Sequence, residues 1–245
     1  MDYDNDFEEG YAKTSLGNLY YRHHKGNAPC IVFLHGLGAS SRVWKKLVEF
    51  LPDNMDVYLV DLLGHGKSDK PHIAYNIDVQ VQAIHEFLES LWILDCYLFG
   101  HSYGGWIAAK YASEYDGLHG IMLEDAAGIK EYFVDIIDRG EEASYKANML
   151  KVLLEINGND KYVMESIMNA DADTSGWLDE AALSKIRCKC IVIWGSNDKV
   201  VDIHYSDILI SSIKGSAFRM VDGAGHEPHY TNPEEVASII ADFTG

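Results

Sequence analysis

The stretch Leu98-Phe99-Gly100-His101-Ser102-Tyr103-Gly104-Gly105 decides how the rest of this chain is read. It grows out of an apolar run, Cys96-Tyr97-Leu98-Phe99, that has the character of a buried strand. It leads into Trp106-Ile107-Ala108-Ala109-Lys110-Tyr111, which suits a helix. Between them sits a serine with a glycine two places before it and two places after. A hydroxyl held on a sharp strand-to-helix turn needs that spacing. The serine takes a strained backbone conformation, and a Cβ at either flanking position would collide with the neighbouring strand or helix. Gly105 adds a further close-packing point. Alone, the pentapeptide equally fits a glycine-rich loop closing an ordinary strand–helix unit, so the surrounding chain carries the decision.

Upstream, Tyr11–Lys13 and Leu19–His23 flank the turn-forming cluster Ser15-Leu16-Gly17-Asn18 and predict an antiparallel hairpin at a sheet edge. Cys30–Leu34 and Asp56–Val60 are short apolar runs of the kind buried on both faces of a sheet. Each ends in a glycine-bearing loop, His35-Gly36-Leu37-Gly38 and Asp61-Leu62-Leu63-Gly64-His65-Gly66-Lys67-Ser68. A helix is expected over Val43–Leu51, stopped by Pro52, and another over Ile77–Trp92. Downstream, Gly120–Leu123, Ile191–Trp194 and Phe218–Val221 read as strands, and Ile203–Ile213 and Pro233–Phe243 as helices. Residues 129–187 differ. They carry no short apolar strand and read as helices near Tyr132–Arg139, Glu142–Ile156, Tyr162–Met168 and Leu178–Lys185. Breaks are expected at Gly140, Gly158 and the Asp171-Ala172-Asp173-Thr174-Ser175-Gly176 loop. Alternating strands and helices predict an α/β fold: a mostly parallel, eight-stranded sheet with helices on both faces, interrupted by a helical segment over 129–187. The core domain is then 1–128 with 188–245.

The 245 residues suffice for one such domain. A formal charge of −18 argues against nucleic acid or an anionic membrane as a partner. The acidic first ten residues do not resemble a secretory leader, and no apolar run reaches membrane-span length. Cys30, Cys96, Cys188 and Cys190 lack zinc-site spacing and are expected to be reduced, which points to a cytoplasmic protein. No metal cluster or nucleotide loop is apparent, so no cofactor is expected.

A serine attacks only when a base removes its proton and a third group orients the base. Two loops past strand ends supply candidates: Gly195-Ser196-Asn197-Asp198 and Asp222-Gly223-Ala224-Gly225-His226-Glu227-Pro228-His229. Ser102 is assigned as nucleophile, His226 as base and then acid, and Asp198 as the orienting carboxylate. Asp125 and Glu124, also at a strand's carboxyl end, are rival acids, with Asp125 favoured as structural. His229 is a rival base that lacks the close approach expected of Gly225. The backbone N–H groups of Tyr103 and Leu37 are the expected oxyanion donors. Gly36 is expected to turn the Leu37 loop, and His35 to brace it.

These motifs together resemble the α/β-hydrolase fold: His35-Gly36, Asp61…Gly64-His65-Gly66…Ser68, the Gly100–Gly104 elbow, Gly195…Asp198 and Gly225-His226-Glu227-Pro228. The resemblance spans nearly the whole chain. It implies a helical lid at 129–187 and no cofactor. It departs where the family often has proline, at Lys189 and Asp202. Ser102, in place of an aspartate, argues against relatives that open epoxides or displace halide. From the lid, Phe133, Met149, Leu153, Met168 and Trp177 are the expected lining of an apolar pocket. The expected activity is hydrolysis of carboxylic esters of small molecules through an acyl-enzyme. Carbon–carbon bond hydrolysis of the meta-cleavage type, lactonase or thioesterase action are the alternatives, and a non-catalytic receptor is a remote one. Oligomeric state is left open.

Overall fold

The computed structural model describes residues 1–27, 29–156, 159–170 and 176–245. Gly158 and the 171–175 part of the expected loop lie outside the described residues. Among them, eight strands form one sheet: β1 Glu8–Thr14, β2 Gly17–His24, β3 Cys30–Leu34, β4 Asp56–Val60, β5 Cys96–His101, β6 Gly120–Glu124, β7 Lys189–Gly195 and β8 Ala217–Val221. Their order is β1-β2-β4-β3-β5-β6-β7-β8. β1 and β2 form the hairpin, closing at Thr14 opposite Gly17, and β2 lies antiparallel to β4. From β4 to β8 every pair is parallel.

Strand periodicity builds the two layers. In β3, Val32 and Leu34 face one apolar cluster while Ile31 and Phe33 face the other. β5 repeats the division with Leu98 against Tyr97 and Phe99. Both faces are covered, so these strands read as unbroken apolar runs. Each fully buried aliphatic or aromatic side chain contributes roughly 1.5–3 kcal/mol. The short helix α1 (Lys45–Val48) covers the second face, extending a 3₁₀ turn over Ser41–Trp44. α2 (Ile77–Ser90) and α3 (Tyr103–Glu114) cover the first. Of the helix expected over Val43–Leu51, Val43 and Trp44 lie in the 3₁₀ turn, Lys45–Val48 form α1 and the last three residues leave the helix, while Trp44, Leu47 and Val48 are buried as its spacing requires.

Between β6 and β7 the chain forms α4 (Lys130–Asp138), α5 (Glu142–Lys151), a π-helical turn over Val152–Ile156, α6 (Lys161–Ala170) and α7 (Glu180–Leu183). This insert is pinched at its base, where Ile129 bridges Leu178 and the Leu178 N–H donates to the Gly128 carbonyl at 2.8 Å. α8 (Ser206–Ser212), α9 (Pro228–Thr231) and α10 (Pro233–Thr244) complete the chain. α9 was not anticipated from sequence. Pro228 at its first position carries the signal, because a fixed φ and a missing N–H suit a helix start.

From β3 the chain steps to β4 on one side and then returns to β5 on the other. The crevice outside the carboxyl ends of β3 and β5 is therefore a topological switch point, where such sheets place their sites.

Candidate active site

Ser102 follows β5 with φ 52 and ψ −113. A residue with a Cβ holds that conformation only if its surroundings impose it. Here the Ser102 N–H donates to the Glu124 carbonyl at 2.9 Å. Its own carbonyl accepts from Trp106 and Ala127 N–H groups, both at 3.0 Å. The flanking glycines are required by close approach. A Cβ on Gly104 would lie 2.1 Å from the Leu34 carbonyl oxygen, and one on Gly100 2.3 Å from that of Gly104.

The elbow, the β7 loop and the β8 loop converge. His226 Nε2 lies 3.0 Å from Ser102 Oγ, and His226 Nδ1 lies 2.7 Å from Asp198 Oδ2. Nδ1–H donating to the carboxylate leaves Nε2 free to accept the serine proton. The His226 side chain is 17% exposed and that of Asp198 is 0%, so the imidazole reaches solvent while the carboxylate bonded to it does not. Burial pushes the Asp198 carboxyl upward. The hydrogen bond and charge of His226 and the Val200 N–H outweigh it, and the group stays below its ordinary value. Asp198 Oδ1 accepts from Val200 at 2.7 Å and Val201 at 3.1 Å. The close approach assigned to Gly225 belongs to its partner: a Cβ on Gly225 meets open space, whereas one on Gly195 would lie 2.1 Å from the Gly225 carbonyl oxygen.

Neither rival acid contacts His226 by a hydrogen bond among the described residues. Glu124 pairs with the rival base instead, accepting from the His229 backbone N–H at 2.9 Å and sharing a proton-bearing contact with His229 Nδ1 at 2.5 Å. Both are essentially fully buried. The pair fastens the start of α9, just past His226, to the end of β6, whose last carbonyl holds Ser102. His101, buried beside His229 and His226, has its imidazole kept neutral by that burial and by the two neighbouring rings, well below the usual histidine range. It donates Nε2–H to the His226 carbonyl at 2.7 Å.

Asp125 is the group whose importance sequence spacing does not convey. It is wholly buried with φ 44, accepts from the Gly195 N–H at 3.0 Å through Oδ1, and lies against Asp198. Burial, then the Glu124 and Asp198 charges, raise its carboxyl far above the ordinary range.

Among the described residues two groups bring ligand-type atoms within 4.8 Å of one another, His101 with Glu124 and His229, and Asp125 with Asp198 and His226. In each a histidine–carboxylate hydrogen bond already joins the donors, and a cation would have to replace it.

The loop after β3 lies against the elbow. A Cβ on Gly36 would sit 2.9 Å from His101 Nδ1 and 3.5 Å from Ser102 Cβ. Gly36 is thus needed for close approach, while the left-handed turn falls at Gly38, φ 73. His35 braces the loop as expected. Fully buried, it accepts the Leu62 N–H on Nε2 at 3.0 Å and donates Nδ1–H to the Gly36 carbonyl at 2.8 Å. Leu37 stands between these glycines, and Tyr103 opens α3.

The sequence profile of the alpha/beta hydrolase family matches residues 31–239. The chain belongs to that family. It is 27% identical over 284 residues to a Mus musculus protein named monoacylglycerol lipase ABHD6, covering 95% of this chain and 84% of the relative. Among solved structures, a hydrolase from Pseudomonas aeruginosa superposes with a TM-score of 0.80 at 18% identity, covering 97% of this chain and 98% of the other. An enol-lactonase from Burkholderia xenovorans superposes with a TM-score of 0.78 at 22% identity, covering 96% and 99%. These likenesses carry the fold, and this alpha/beta hydrolase shares its eight-stranded, mostly parallel sheet.

Of the residues singled out in the insert between β6 and β7, the hydrolase places Leu153 against the loop after β3, its Cδ2 2.3 Å from where a Gly38 Cβ would stand. Asn159 Nδ2 donates to the Gly38 carbonyl at 2.9 Å and to that of Leu153 at 3.1 Å. Met149 lines a cavity of about 530 Å³ with Tyr132, Tyr145, Asp198 and Tyr205, which includes neither Ser102 nor His226. Phe133 stacks on Trp177 with ring centroids 4.9 Å apart, and both, with Met168, are buried in the first apolar cluster.

Proposed function

We infer that this hydrolase is a serine esterase cleaving small-molecule carboxylic esters of small to medium acyl chain. The observation that carries the reading is the chain Ser102 Oγ to His226 Nε2 at 3.0 Å and His226 Nδ1 to Asp198 at 2.7 Å, with Ser102 held at φ 52. His226 takes the Ser102 proton as Oγ attacks the ester carbonyl. Asp198 remains ionised and stabilises the imidazolium. The oxyanion is received by the N–H groups of Tyr103 and Leu37. Collapse passes the proton from His226 to the leaving alcohol, and the acyl group remains on Ser102. Water, deprotonated by His226, then releases the acid. Residues 129–187 act as the lid. Leu153 and Asn159 resting on Gly38 support that role.

The Mus musculus relative's name makes monoacylglycerols the first natural esters to try. A fluorophosphonate probe should label the protein at Ser102, and Ser102→Ala should lose both the label and roughly 10⁴-fold or more of the turnover on a p-nitrophenyl ester. Wild-type turnover by Ser102→Ala removes the assignment. Labelling without turnover across esters, but with turnover of a lactone, thioester or dienone, moves the substrate class instead.

A further inference from the structure

Asp198 and Asp125 are two carboxyl groups buried side by side at the ends of adjacent strands. Two like charges in such a place do not both persist. The donors around them decide where the proton goes. Asp198 accepts from Val200 and Val201 N–H groups and from His226 Nδ1–H, at 2.7, 3.1 and 2.7 Å, an environment built for a carboxylate. Among the described residues Asp125 accepts one N–H, that of Gly195 at 3.0 Å, and its Oδ2 is buried with no donor. An ionised Oδ2 would be an orphaned buried charge. A protonated one becomes a donor, and Asp198 is the acceptor beside it, with the Asp125, Asp198 and His226 donor atoms all within 4.8 Å of one another.

The backbone agrees. Asp125 is one of few non-glycine residues at positive φ, and its N–H donates to the Ile193 carbonyl at 3.0 Å. Backbone and side chain of Asp125 are both fastened to the end of β7, beside the loop that carries Asp198. We propose that Asp125 is a positioning residue for the triad: as a neutral carboxylic acid it donates Oδ2–H to Asp198 and so holds the Asp198 carboxylate towards His226. The assignment rests on Ser102, His226 and Asp198 forming a working triad. The Asp125 proton stays in place through the cycle; the proton that moves is the one exchanged between Ser102, His226 and the leaving group.

The test uses the full chain and a p-nitrophenyl ester. Removing a hydrogen bond to a charged group by Asp125→Ala should lower kcat about 10- to 100-fold with KM little changed. Asp125→Asn keeps an acceptor for Gly195 and offers an Nδ2–H donor to Asp198, and asparagine tolerates a left-handed φ; it should recover most of the lost kcat. Wild-type kcat in folded Asp125→Ala, or an asparagine variant as impaired as the alanine one, overturns the proposal. Since alanine at φ 44 is itself strained, a second measurement needs no alanine variant. The infrared difference spectrum between wild type and Asp125→Asn at neutral pH should contain the C=O stretch of a protonated carboxylic acid, and a spectrum without it overturns the proposal. If the wild-type protein has no turnover that Ser102→Ala abolishes, the triad reading has failed, while the infrared band still reports on the Asp125 proton independently.

Discussion

Gly104→Ala sets two opposed effects against each other. Gly104 lies in the first turn of α3, and helix propensity alone favours alanine by about 1 kcal/mol. The new Cβ, however, would stand 2.1 Å from the Leu34 carbonyl oxygen, 2.5 Å from its carbon and 2.8 Å from the His35 oxygen. All three are backbone atoms of residues with no solvent exposure, so no side chain can rotate away. α3 has to retreat by about 1 Å. Overpacking of this kind costs roughly 1–3 kcal/mol or more, which outweighs the propensity gain. The displacement also separates Ser102 from the loop bearing Leu37, and about 1 Å of misplacement at a reacting centre costs on the order of 10²-fold in rate. The variant is expected to fold with a lowered urea midpoint, to keep KM roughly, and to lose about 10²-fold in kcat and in the rate of fluorophosphonate labelling. A variant at least as stable as wild type, with unchanged kcat, would show that the strand end does not press on the elbow and would refute the reasoning.

Acid stability depends on the buried histidines, His35 and His65 among them. Burial brings His35 down to about 4, and burial with the neighbouring His35 brings His65 down to about 3. Both take up a proton on unfolding at a higher pH than when folded. Their contribution is complete above the unfolded value near 6.5 and is lost as pH falls towards the folded values. By pH 5 each should have withdrawn on the order of 2 kcal/mol, with the lowered Asp198 adding to the loss only below about pH 4. The neutral Asp125 acts in the opposite sense, since its raised folded value makes stability grow by roughly 1.4 kcal/mol per pH unit as pH falls towards the ordinary carboxyl range. The losses at His35, His65 and the likewise buried, neutral His101 outweigh it, so urea midpoints measured from pH 7 to 5 should fall, and a flat profile would contradict the neutral, buried assignment. Asn159→Ala removes the donor to the Gly38 and Leu153 carbonyls. A single hydrogen bond of about 0.5–1.5 kcal/mol predicts a two- to tenfold fall in kcat/KM, and an unaltered kcat/KM would mean that the insert does not steady the loop.

Most of the sheet was legible because its central strands are buried on both faces, which forces short, wholly apolar runs such as Cys30–Leu34 and Gly120–Leu123. The meeting of Ser102, Asp198 and His226 was legible for a related reason: each stands just past the carboxyl end of a strand, where side chains from distant parts of the chain come together. Partnerships between strand ends were less accessible. Asp125 could be seen to close a strand and was weighed as a rival acid. Its contact with Asp198 depends on β6 and β7 being neighbours, which follows from the crossovers and from no local pattern. The Glu124–His229 pair is hidden in the same way. In the insert, apolar periodicity continues past Lys151, so one helix was expected through Ile156. The change to a π-helical turn at Val152 has no signal in residue type.

Leu153 and Asn159 bear directly on Gly38, so the part of the chain that should select substrates is mechanically joined to the loop proposed to stabilise the developing negative charge. Recognition and rate then cannot evolve as separate modules. Transplanting residues 129–187 between relatives would exchange more than a specificity, because each donor segment brings its own way of leaning on the glycine loop. Divergence in such a family would proceed by matched changes in the two segments, with each new insert requiring a loop shaped to carry it.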